Sequence, residues 1–297
     1  MKVLKEYLDY IEKTKKLSKN TVASYNRDLK KYIEYLNSKE INILDVVEND
    51  IISYLIELEK ENISVSSISR MISSIKSYHD YLFFDGLAKN DPAKNIKKPK
   101  VKRDDVETLT EEEVDKLLKF EDLSTPKKIR DKAIFEVLYG TGIKVSELID
   151  MNLEDIDLDI DYIYCGSSKN QRVIPLCEAT KFYLLKYINE SRDLLTYPEE
   201  KALFVNAQGQ RFTRQGLWKL IKKYAKEADI NKNINPTTLR HSFAIHLLNG
   251  GANVAVVSKI LGNSNLSSLQ LYLKYIDKNL RKEIKEKHPR ENDINFK

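Results

Sequence analysis

Apolar residues recur at intervals of three and four along the first hundred residues of the chain. In NTVASYNRDLKKYIEYL they fall at Val22, Tyr25, Leu29, Tyr32 and Leu36, which places them in one stripe along a helix. In SVSSISRMISSIKSYHDYLFFDG the same spacing continues, at Val65, Ile68, Ile72, Ile75, His79 and Leu82. We therefore predict four helices in this part of the chain, each with a buried apolar face.

The helical periodicity stops in DPAKNIKKPK, where two prolines mark a domain boundary. We predict an N-terminal helical domain over 1–91, a linker over 92–107 and a second domain over 108–297. Thr110 and Glu113 have the spacing of a capping box, in which each side chain bonds the other residue's backbone amide. The first helix of the second domain is therefore expected to begin there.

Both helices and strands are predicted in the second domain. KIRDKAIFEVLYGTG is typical of a helix that ends at its glycines, and LEDIDLDIDYIYC and QRVIPL are typical of strands joined by the turn GSSKN. Four further helices are predicted, in FTRQGLWKLIKKYAKEA, PTTLRHSFAIHLLNGG, NVAVVSKILGN and NLSSLQLYLKYI. The chain is thus predicted to be mainly α, a helical domain followed by an α+β domain with one small antiparallel sheet.

The composition of the chain excludes several classes of protein. Hydrophobic residues make up 41% and charged residues 32%, as in soluble globular proteins, and no apolar run approaches the roughly 20 residues that span a bilayer. Cys165 and Cys177 are the only cysteines, so neither a zinc site nor a disulfide framework is indicated. No phosphate-binding G-x-x-x-x-G-K-[ST] motif is present. We expect a cytoplasmic protein with no metal, no cofactor and no membrane partner.

Positive charge is concentrated in the first part of the chain. Residues 1–103 hold 20 basic and 15 acidic residues and so account for the whole net charge of +5, and KNIKKPKVKR carries six positive charges. Such a linker is either plainly solvated or suited to wrapping a polyanion. Candidate DNA contacts lie in two regions, one on the second predicted apolar-stripe helix and one at and just before the predicted helix FTRQGLWKLIKKYAKEA; they are Arg70, Lys76, Arg211, Arg214, Lys219, Lys222 and Lys223. An ordinary solvent-facing helix surface is the alternative for each group.

The segment TLRHSFAIHLLNGGANVAVVSKILGNSNLSSLQLYLKY resembles the C-terminal signature of the tyrosine recombinases, or phage integrase family, and specifically of the Xer-type site-specific recombinases. LSKNTVASYNRDLKKYIEYL is similar to the family's SAM-like core-binding domain. GTGIKVSELIDMNLEDID, KNQRVIPL and FTRQGLWKLIKKYA are similar to successive blocks of its catalytic domain. The resemblance covers nearly the whole chain and implies duplex DNA binding, assembly on DNA and a C-terminal tail, Lys278–Lys297, that docks onto a neighbouring subunit.

The resemblance also implies a nucleophile and a phosphate ligand. Cleavage of a phosphodiester needs fixed donors for its oxygens and a nucleophile that preserves the bond energy. Tyr272 stands where the family has that nucleophile, and Arg240 matches its second arginine, whose fork holds two phosphate oxygens. A core aromatic and a surface ion pair are the alternative interpretations. Because an unperturbed tyrosine is ionised in only about one molecule per thousand at neutral pH, nearby positive charge has to help.

Four pocket positions depart from the family pattern. Lys144 stands where the family has its first arginine, and lysine keeps the charge but loses the planar fork. Thr237 replaces a histidine and cannot shuttle a proton near neutral pH, and Asn263 replaces a histidine or tryptophan. At the position of the family's turn lysine this chain has Ser167, with Lys169 two residues on as a possible substitute.

Three hypotheses remain open from the sequence. The first is a DNA-binding member of the family, acting in recombination or integration, whose strand cleavage through Tyr272 is weakened or lost. The second is a fully active site-specific recombinase that forms a 3′-phosphotyrosyl intermediate with altered pocket residues. The third is a helical protein whose basic surfaces bind RNA or another acidic partner.

Overall fold

A computed structural model describes residues 2–100, 106–166 and 171–262 together with Tyr272. The chain divides into two compact units, Met1–Asp104 and Asp105–Lys297, so the division falls inside the predicted linker. Within the described ranges, every helix is too short or too polar to cross a membrane.

Residues 2–100 contain four α-helices, as the sequence predicts. They are α1 Lys2–Lys13, α2 Lys19–Ser38, α3 Glu48–Lys60 and α4 Val65–Phe84. The hydroxyl groups of Ser18 and Ser64 begin α2 and α4, because they accept hydrogen bonds from the backbone amides of Thr21 and Ser67 at 3.2 and 3.3 Å.

The predicted apolar stripes of α2 and α4 form much of the core of the first unit. Their fully buried members are Leu29, Tyr32, Leu36, Ile68, Ile72, Ile75, His79 and Leu82. Val65 was predicted to belong to this stripe, and that prediction is wrong, since its side chain is 50% exposed. Val65 is the first residue of α4 and lies at the end of the helix, where the stripe has not yet reached the core.

The chain that follows α4 packs onto the first unit. Ala93 and Ile96 are buried in its core, and the ammonium group of Lys76 donates to the backbone carbonyls of Lys94 and Ile96 at 2.8 and 3.0 Å. The first residues of the predicted linker are therefore held by side-chain and core contacts.

His79 is a buried titratable group in this core. Its Nε2 atom lies 3.0 Å from the hydroxyl of Tyr32, and burial lowers the pKa of the imidazole from 6.5 to about 4. The folded chain therefore keeps His79 neutral at pH values at which the unfolded chain would protonate it.

The second unit contains, in its described residues, seven α-helices and one sheet. The helices are α5 Glu111–Leu118, α6 Pro126–Thr141, α7 Val145–Asp150, α8 Glu178–Glu190, α9 Arg214–Glu227, α10 Pro236–Asn249 and α11 Val254–Leu261. The capping box of Thr110 and Glu113 is confirmed, with hydrogen bonds of 2.7 and 3.2 Å between each side chain and the other backbone amide.

The sheet is small and antiparallel, as predicted, with the strand order β1 Ile156–Asp157, β2 Tyr162–Cys165 and β3 Arg172–Pro175. Ile163 pairs with Ile174 across β2 and β3, and both are buried. The segment LEDIDLDIDYIYC, predicted as one strand, is instead a 3₁₀ turn followed by β1 and β2. Asp161, with a φ of +63°, turns the chain between the two strands.

Helix α6 lies at the centre of the second unit. It packs against α8 and α10, and most of its residues are buried, including two ion pairs, Arg130–Asp131 and Lys132–Glu136, each at 2.6 Å. Its sequence has no polar stripe because α6 has no fully solvated side. Helix α8 was not predicted from the sequence, and it covers one side of α6.

Two helices end at glycines that position the site described below. Gly142, with a φ of +58°, ends α6, and Gly262, with a φ of +61°, ends α11. This left-handed backbone conformation favours glycine. Helix α10 begins at Asn235, whose side-chain oxygen accepts from the amides of Thr237 and Thr238, with Pro236 at its first position.

We predict that the first unit loses stability as the pH falls from about 6.5 to about 4. Between these values the unfolded chain binds a proton at His79 that the folded chain does not, so protonation favours unfolding by up to about 3 kcal/mol. Hydrogen exchange of the amides of α2 and α4, corrected for intrinsic rates, measures this loss. His79→Gln has no titrating ring, so its stability should depend less on pH over this range. If stability falls with pH as steeply in that variant as in the native chain, His79 is not the group responsible.

Candidate active site

Arg240, in the second turn of α10, joins the ends of two other helices. Its Nη1 donates to the carbonyl of Gly142 and its Nη2 to the carbonyl of Leu261, both at 2.6 Å. These carbonyls lie at the C-terminal ends of α6 and α11, where helix carbonyls lack partners within the helix and carry partial negative charge. The guanidinium, on a residue only 8% exposed, therefore holds α6, α10 and α11 together.

Tyr272 is buried beside the same helix. It is 2% exposed and belongs to a cluster of apolar side chains from α10 and α11, which are Phe243, Ala244, Ile245, Leu248, Val257 and Leu261. Its hydroxyl lies 2.6 Å from Nδ1 of His241, the residue that follows Arg240. The side chain is thus both a core aromatic and a member of a polar group.

Electrostatic effects connect Arg240, His241 and Tyr272. Burial raises the pKa of the Tyr272 phenol, and the charge of Arg240 lowers it in part. Burial and the charge of Arg240 together lower the pKa of His241 to about 4. At neutral pH the group therefore contains one cation, one neutral imidazole and one neutral phenol.

Lys144 precedes α7 and faces solvent. Its side chain is 49% exposed, and Nζ lies 3.9 Å from Oε1 of Glu147. Burial alone would raise the pKa of Glu147, but hydrogen bonds from Arg172 and from the Lys144 amide bring it below its ordinary value. The Glu147 carboxylate is therefore ionised at neutral pH.

Arg172, at the start of β3, is a site residue that the sequence analysis missed. Its Nη1 and Nη2 atoms donate to the two carboxylate oxygens of Glu147 at 2.7 and 2.8 Å, and its Nε donates to the carbonyl of Ile260 at 2.6 Å. A Cβ atom at Gly262 would lie 2.9 Å from the Arg172 guanidinium, so glycine is also required there for space. The only sequence signal was an arginine in the block KNQRVIPL.

The remaining predicted pocket residues have different positions. Thr237 is exposed on the first turn of α10, and its backbone amide donates to Asn235 Oδ1 at 2.8 Å. Asn263, Ser167 and Lys169 lie outside the described residues, as does the tail Lys278–Lys297.

The described charges favour an anion at this end of the unit. Arg240, Arg172 and Lys144 contribute three positive charges, and Glu147 contributes one negative charge that Arg172 pairs with in a bidentate bond. A site of this charge attracts anions. Rate acceleration additionally requires donors that are fixed around the transition state, and the half-exposed Lys144 is not fixed by a close partner.

Helix α9 carries most of the predicted DNA contacts. Arg214 and Lys219 are exposed, Lys223 lies 3.8 Å from Glu227, and Lys222 donates to Asn233 and lies over the half-exposed Trp218 ring, 5.3 Å from its centroid. Arg214, Lys219 and Lys223 are thus the predicted contacts on this helix that are exposed to solvent, and Lys223 also lies near Glu227.

Three other predicted DNA contacts make bonds within the protein. Arg70 forms an ion pair with the buried Asp28, and Lys76 bonds the backbone after α4 as described above. Arg211 donates to the carbonyls of Ile149 and Met151 at 2.6 and 3.1 Å. Their structural contacts were not predicted. Among the described residues, no cluster of three or more histidine, cysteine or acidic side chains could hold a metal ion.

The domain matches identify the family. The model of the phage integrase family matches residues 107–278, and that of the phage integrase N-terminal SAM-like domain matches residues 4–86. The chain belongs to the phage integrase family. Among its members the chain is similar to tyrosine recombinase XerD of Oceanobacillus iheyensis, at 39% identity over 97% of this chain and 98% of that protein. It is also 38% identical to XerD of Staphylococcus epidermidis, over 97% and 99% of the two chains.

Solved structures of family members share the fold. The Tn1549 transposon integrase in complex with a circular intermediate DNA has a TM-score of 0.73 and 20% identity over 94% of this chain and 99% of that one. The XerH site-specific recombinase bound to a palindromic difH substrate has a TM-score of 0.74 and 20% identity, over 89% and 79%. The predicted architecture, a SAM-like helical domain followed by a tyrosine-recombinase catalytic domain, is confirmed.

We predict that Arg240→Lys lowers the free energy of unfolding of this family member by about 2 kcal/mol. Lysine keeps the charge, but a single ammonium group cannot donate in the guanidinium geometry to both carbonyls, and one buried carbonyl loses its partner. Urea denaturation followed through Trp218 measures the change. Arg214→Lys, on the exposed first position of α9, is the matched control and should change stability by less than about 0.5 kcal/mol. Equal effects in both variants would contradict the structural role of Arg240.

Proposed function

We propose that the chain binds duplex DNA in the cytoplasm as an Xer-type protein of site-specific recombination, with weakened or lost strand cleavage through Tyr272. The observation that carries this proposal is the composition of the pocket. Arg240 is buried on α10 and Tyr272 is buried beside that helix, while Lys144 is half exposed and Thr237 faces solvent. Of the replaced positions, Lys144 keeps a positive charge, whereas Thr237 and Asn263 carry none.

The size of the expected loss follows from the role of such donors. Removing one preorganised donor from a transition state typically lowers the rate by about 10²- to 10³-fold. Lys144, Thr237 and Asn263 each replace one such group, and effects within one site do not simply multiply. Cleavage at the rate of a fully equipped recombinase is therefore not expected.

DNA binding depends on different properties and is expected to persist. Association with a phosphate backbone requires positive charge that is accessible, and exposed basic residues release counterions when they meet DNA. Arg214 and Lys219 on α9 meet this requirement, and the net positive charge around Arg240 supports a phosphate at the pocket. Arg70, Lys76 and Arg211 already have intramolecular partners, so their contribution is expected to be smaller.

Assembly with other recombinase subunits is part of the proposal. The solved relatives include a lambda integrase tetramer bound to a Holliday junction. By analogy, this chain would join such a complex through its tail, Lys278–Lys297, either with copies of itself or with an active recombinase of the same cell. A subunit that cleaves poorly would then bind at the site and leave strand transfer to its neighbours.

Cleavage is tested with a nicked suicide duplex that contains the cognate site. We predict that the native chain forms little or no covalent adduct, since three of the family's phosphate donors are replaced in its pocket. Gel mobility under denaturing conditions measures the adduct. Abundant adduct that is absent in Tyr272→Phe would establish the fully active recombinase instead.

The combined variant Lys144→Arg, Thr237→His and Asn263→His should raise any cleavage by at least about tenfold, because it returns three donors to the pocket. The same suicide duplex provides the measurement, and Tyr272→Phe in this background should abolish the gain. If the variant binds the duplex as tightly as the native chain and gains nothing, these substitutions are not the cause of weak cleavage.

The class of nucleic acid is tested by titration at several salt concentrations. We predict tighter binding to duplex DNA than to RNA of the same sequence, with a steep loss of affinity as salt rises. Fluorescence anisotropy measures both. Lys219→Gln should weaken binding, and it should reduce the slope of log affinity against log salt concentration by about one. Lys186→Gln is the control, because Lys186 on α8 is already paired with Glu190 at 2.6 Å. This control should change neither the affinity nor the slope. Preference for RNA at matched salt would reject the proposal.

A further inference from the structure

Tyr272 and His241 form a buried hydrogen bond whose role is not part of the proposed function. Their oxygen and nitrogen are 2.6 Å apart, and their ring centroids are 5.7 Å apart at an interplanar angle of 57°. Tyr272 is nearly inaccessible, and His241 is partly buried. The contact therefore fixes both the place and the direction of the hydroxyl group.

The direction of this hydrogen bond follows from the charge state of the ring. His241 is neutral at pH 7, because burial and the charge of Arg240 lower its pKa to about 4. A neutral imidazole has one acceptor nitrogen and one donor nitrogen. A phenol is a better donor than acceptor, so we assign Nδ1 as the acceptor and the Tyr272 hydroxyl as the donor.

Such a bond favours the form of tyrosine that is not nucleophilic. Attack on phosphorus requires the phenolic oxygen to direct a lone pair at phosphorus and to lose its proton. A bond donated to a neutral acceptor stabilises the protonated phenol. Transfer of the proton to His241 is strongly unfavourable, since the pKa of the imidazole is far below that of the tyrosine.

We propose that His241 is a positioning residue that holds the Tyr272 hydroxyl in a neutral, buried resting position, and that this hydrogen bond has to open before Tyr272 can reach a phosphate. The inference rests on the proposed function only in taking Tyr272 as the nucleophile. The resting position itself is a property of the free protein.

A second tyrosine–histidine pair, between Tyr139 on α6 and His246 on α10, provides a matched control. The Nδ1 atom of His246 lies 2.9 Å from the hydroxyl oxygen of Tyr139, and its Nε2 atom lies 3.0 Å from the carbonyl oxygen of Leu109. The histidines of both pairs lie on α10 and each bonds a tyrosine hydroxyl through Nδ1, but only the first pair involves Tyr272. Removing His246 therefore tests whether any lost tyrosine–histidine bond exposes Tyr272.

Nitration with tetranitromethane measures the accessibility and ionisation of each tyrosine without DNA. The full chain is nitrated at pH 8, and the rate at each tyrosine is read by peptide mass spectrometry. Tyr197, which is 73% exposed, is the reactive reference, and the fully buried Tyr187 reports any global unfolding. Native Tyr272 is expected to react at least about tenfold more slowly than Tyr197.

The variants separate the hydrogen bond from general packing. His241→Leu and His241→Phe remove the acceptor and should raise the nitration rate of Tyr272 roughly tenfold, since a buried hydroxyl without a partner is destabilised. His241→Asn places an acceptor oxygen near the Nδ1 position and should keep the rate within about twofold of native. His246→Leu should leave Tyr272 at its native rate.

Two outcomes would overturn the inference. One is a Tyr272 rate that stays at the native level in both apolar variants while Tyr187 remains unreactive. The other is a native Tyr272 that reacts as fast as Tyr197. Neither depends on DNA binding or cleavage, so failure here is distinct from failure of the proposed function.

A cleavage measurement extends the test to the reaction. In the background that carries Lys144→Arg, Thr237→His and Asn263→His, adding His241→Leu should increase the rate of covalent adduct formation several-fold on the suicide duplex. A fall in adduct together with faster nitration would mean that His241 assists cleavage, and would overturn its assignment as a residue that only holds the resting position.

Discussion

The buried guanidinium of Arg240 is the interaction on which the arrangement of the second unit depends. Helices α6 and α11 both end at left-handed glycines, and the carbonyls of Gly142 and Leu261 near those ends need donors. One planar group satisfies both, at 2.6 Å each, and thereby fixes α10 between them. The same residue is the phosphate ligand that the family resemblance implies. A member of the family that cleaves poorly thus has a folding reason to retain this arginine.

A comparable argument applies to Tyr272. Its ring packs with apolar side chains of α10 and α11, and its hydroxyl is paired with His241. Losing the ring would leave a cavity, which typically costs about 3–5 kcal/mol for a large aromatic side chain. The presence of tyrosine at this position is therefore consistent with selection for stability as well as for chemistry, and activity has to be judged from the residues around it.

Charge and geometry have separate consequences in this pocket. Arg172 neutralises Glu147 through two short bonds, so Lys144 and Arg240 leave the pocket with a net positive charge. Charge is sufficient to attract a phosphate backbone, and it acts over several ångströms. Transition-state stabilisation requires donors in fixed positions, which a half-exposed lysine and a solvent-facing threonine do not provide. Binding without efficient cleavage is a physically coherent state for such a chain.

The sequence by itself predicted the mainly helical fold and the family, and both predictions are confirmed. Amphipathic stripes, the capping box at Thr110 and the helix-ending glycine Gly142 are local signals, and the structure confirms them except for Val65. Helix α8, the division of one predicted strand into two and the exposure of Val65 were not predicted. Val65 shows that the periodicity of a stripe does not reveal at which residue the core ends.

Only the tertiary structure decided which side chains meet. Arg172 bonds residues 25 and 88 positions away in the chain, and His241 meets Tyr272 across 31 positions. The intramolecular partners of Arg70, Lys76 and Arg211 likewise depended on the packing of separate elements. Local sequence patterns show on which side of its own helix or strand a residue lies. The partners of a charged side-chain group depend on which distant elements pack beside it, and the fold as a whole determines that packing.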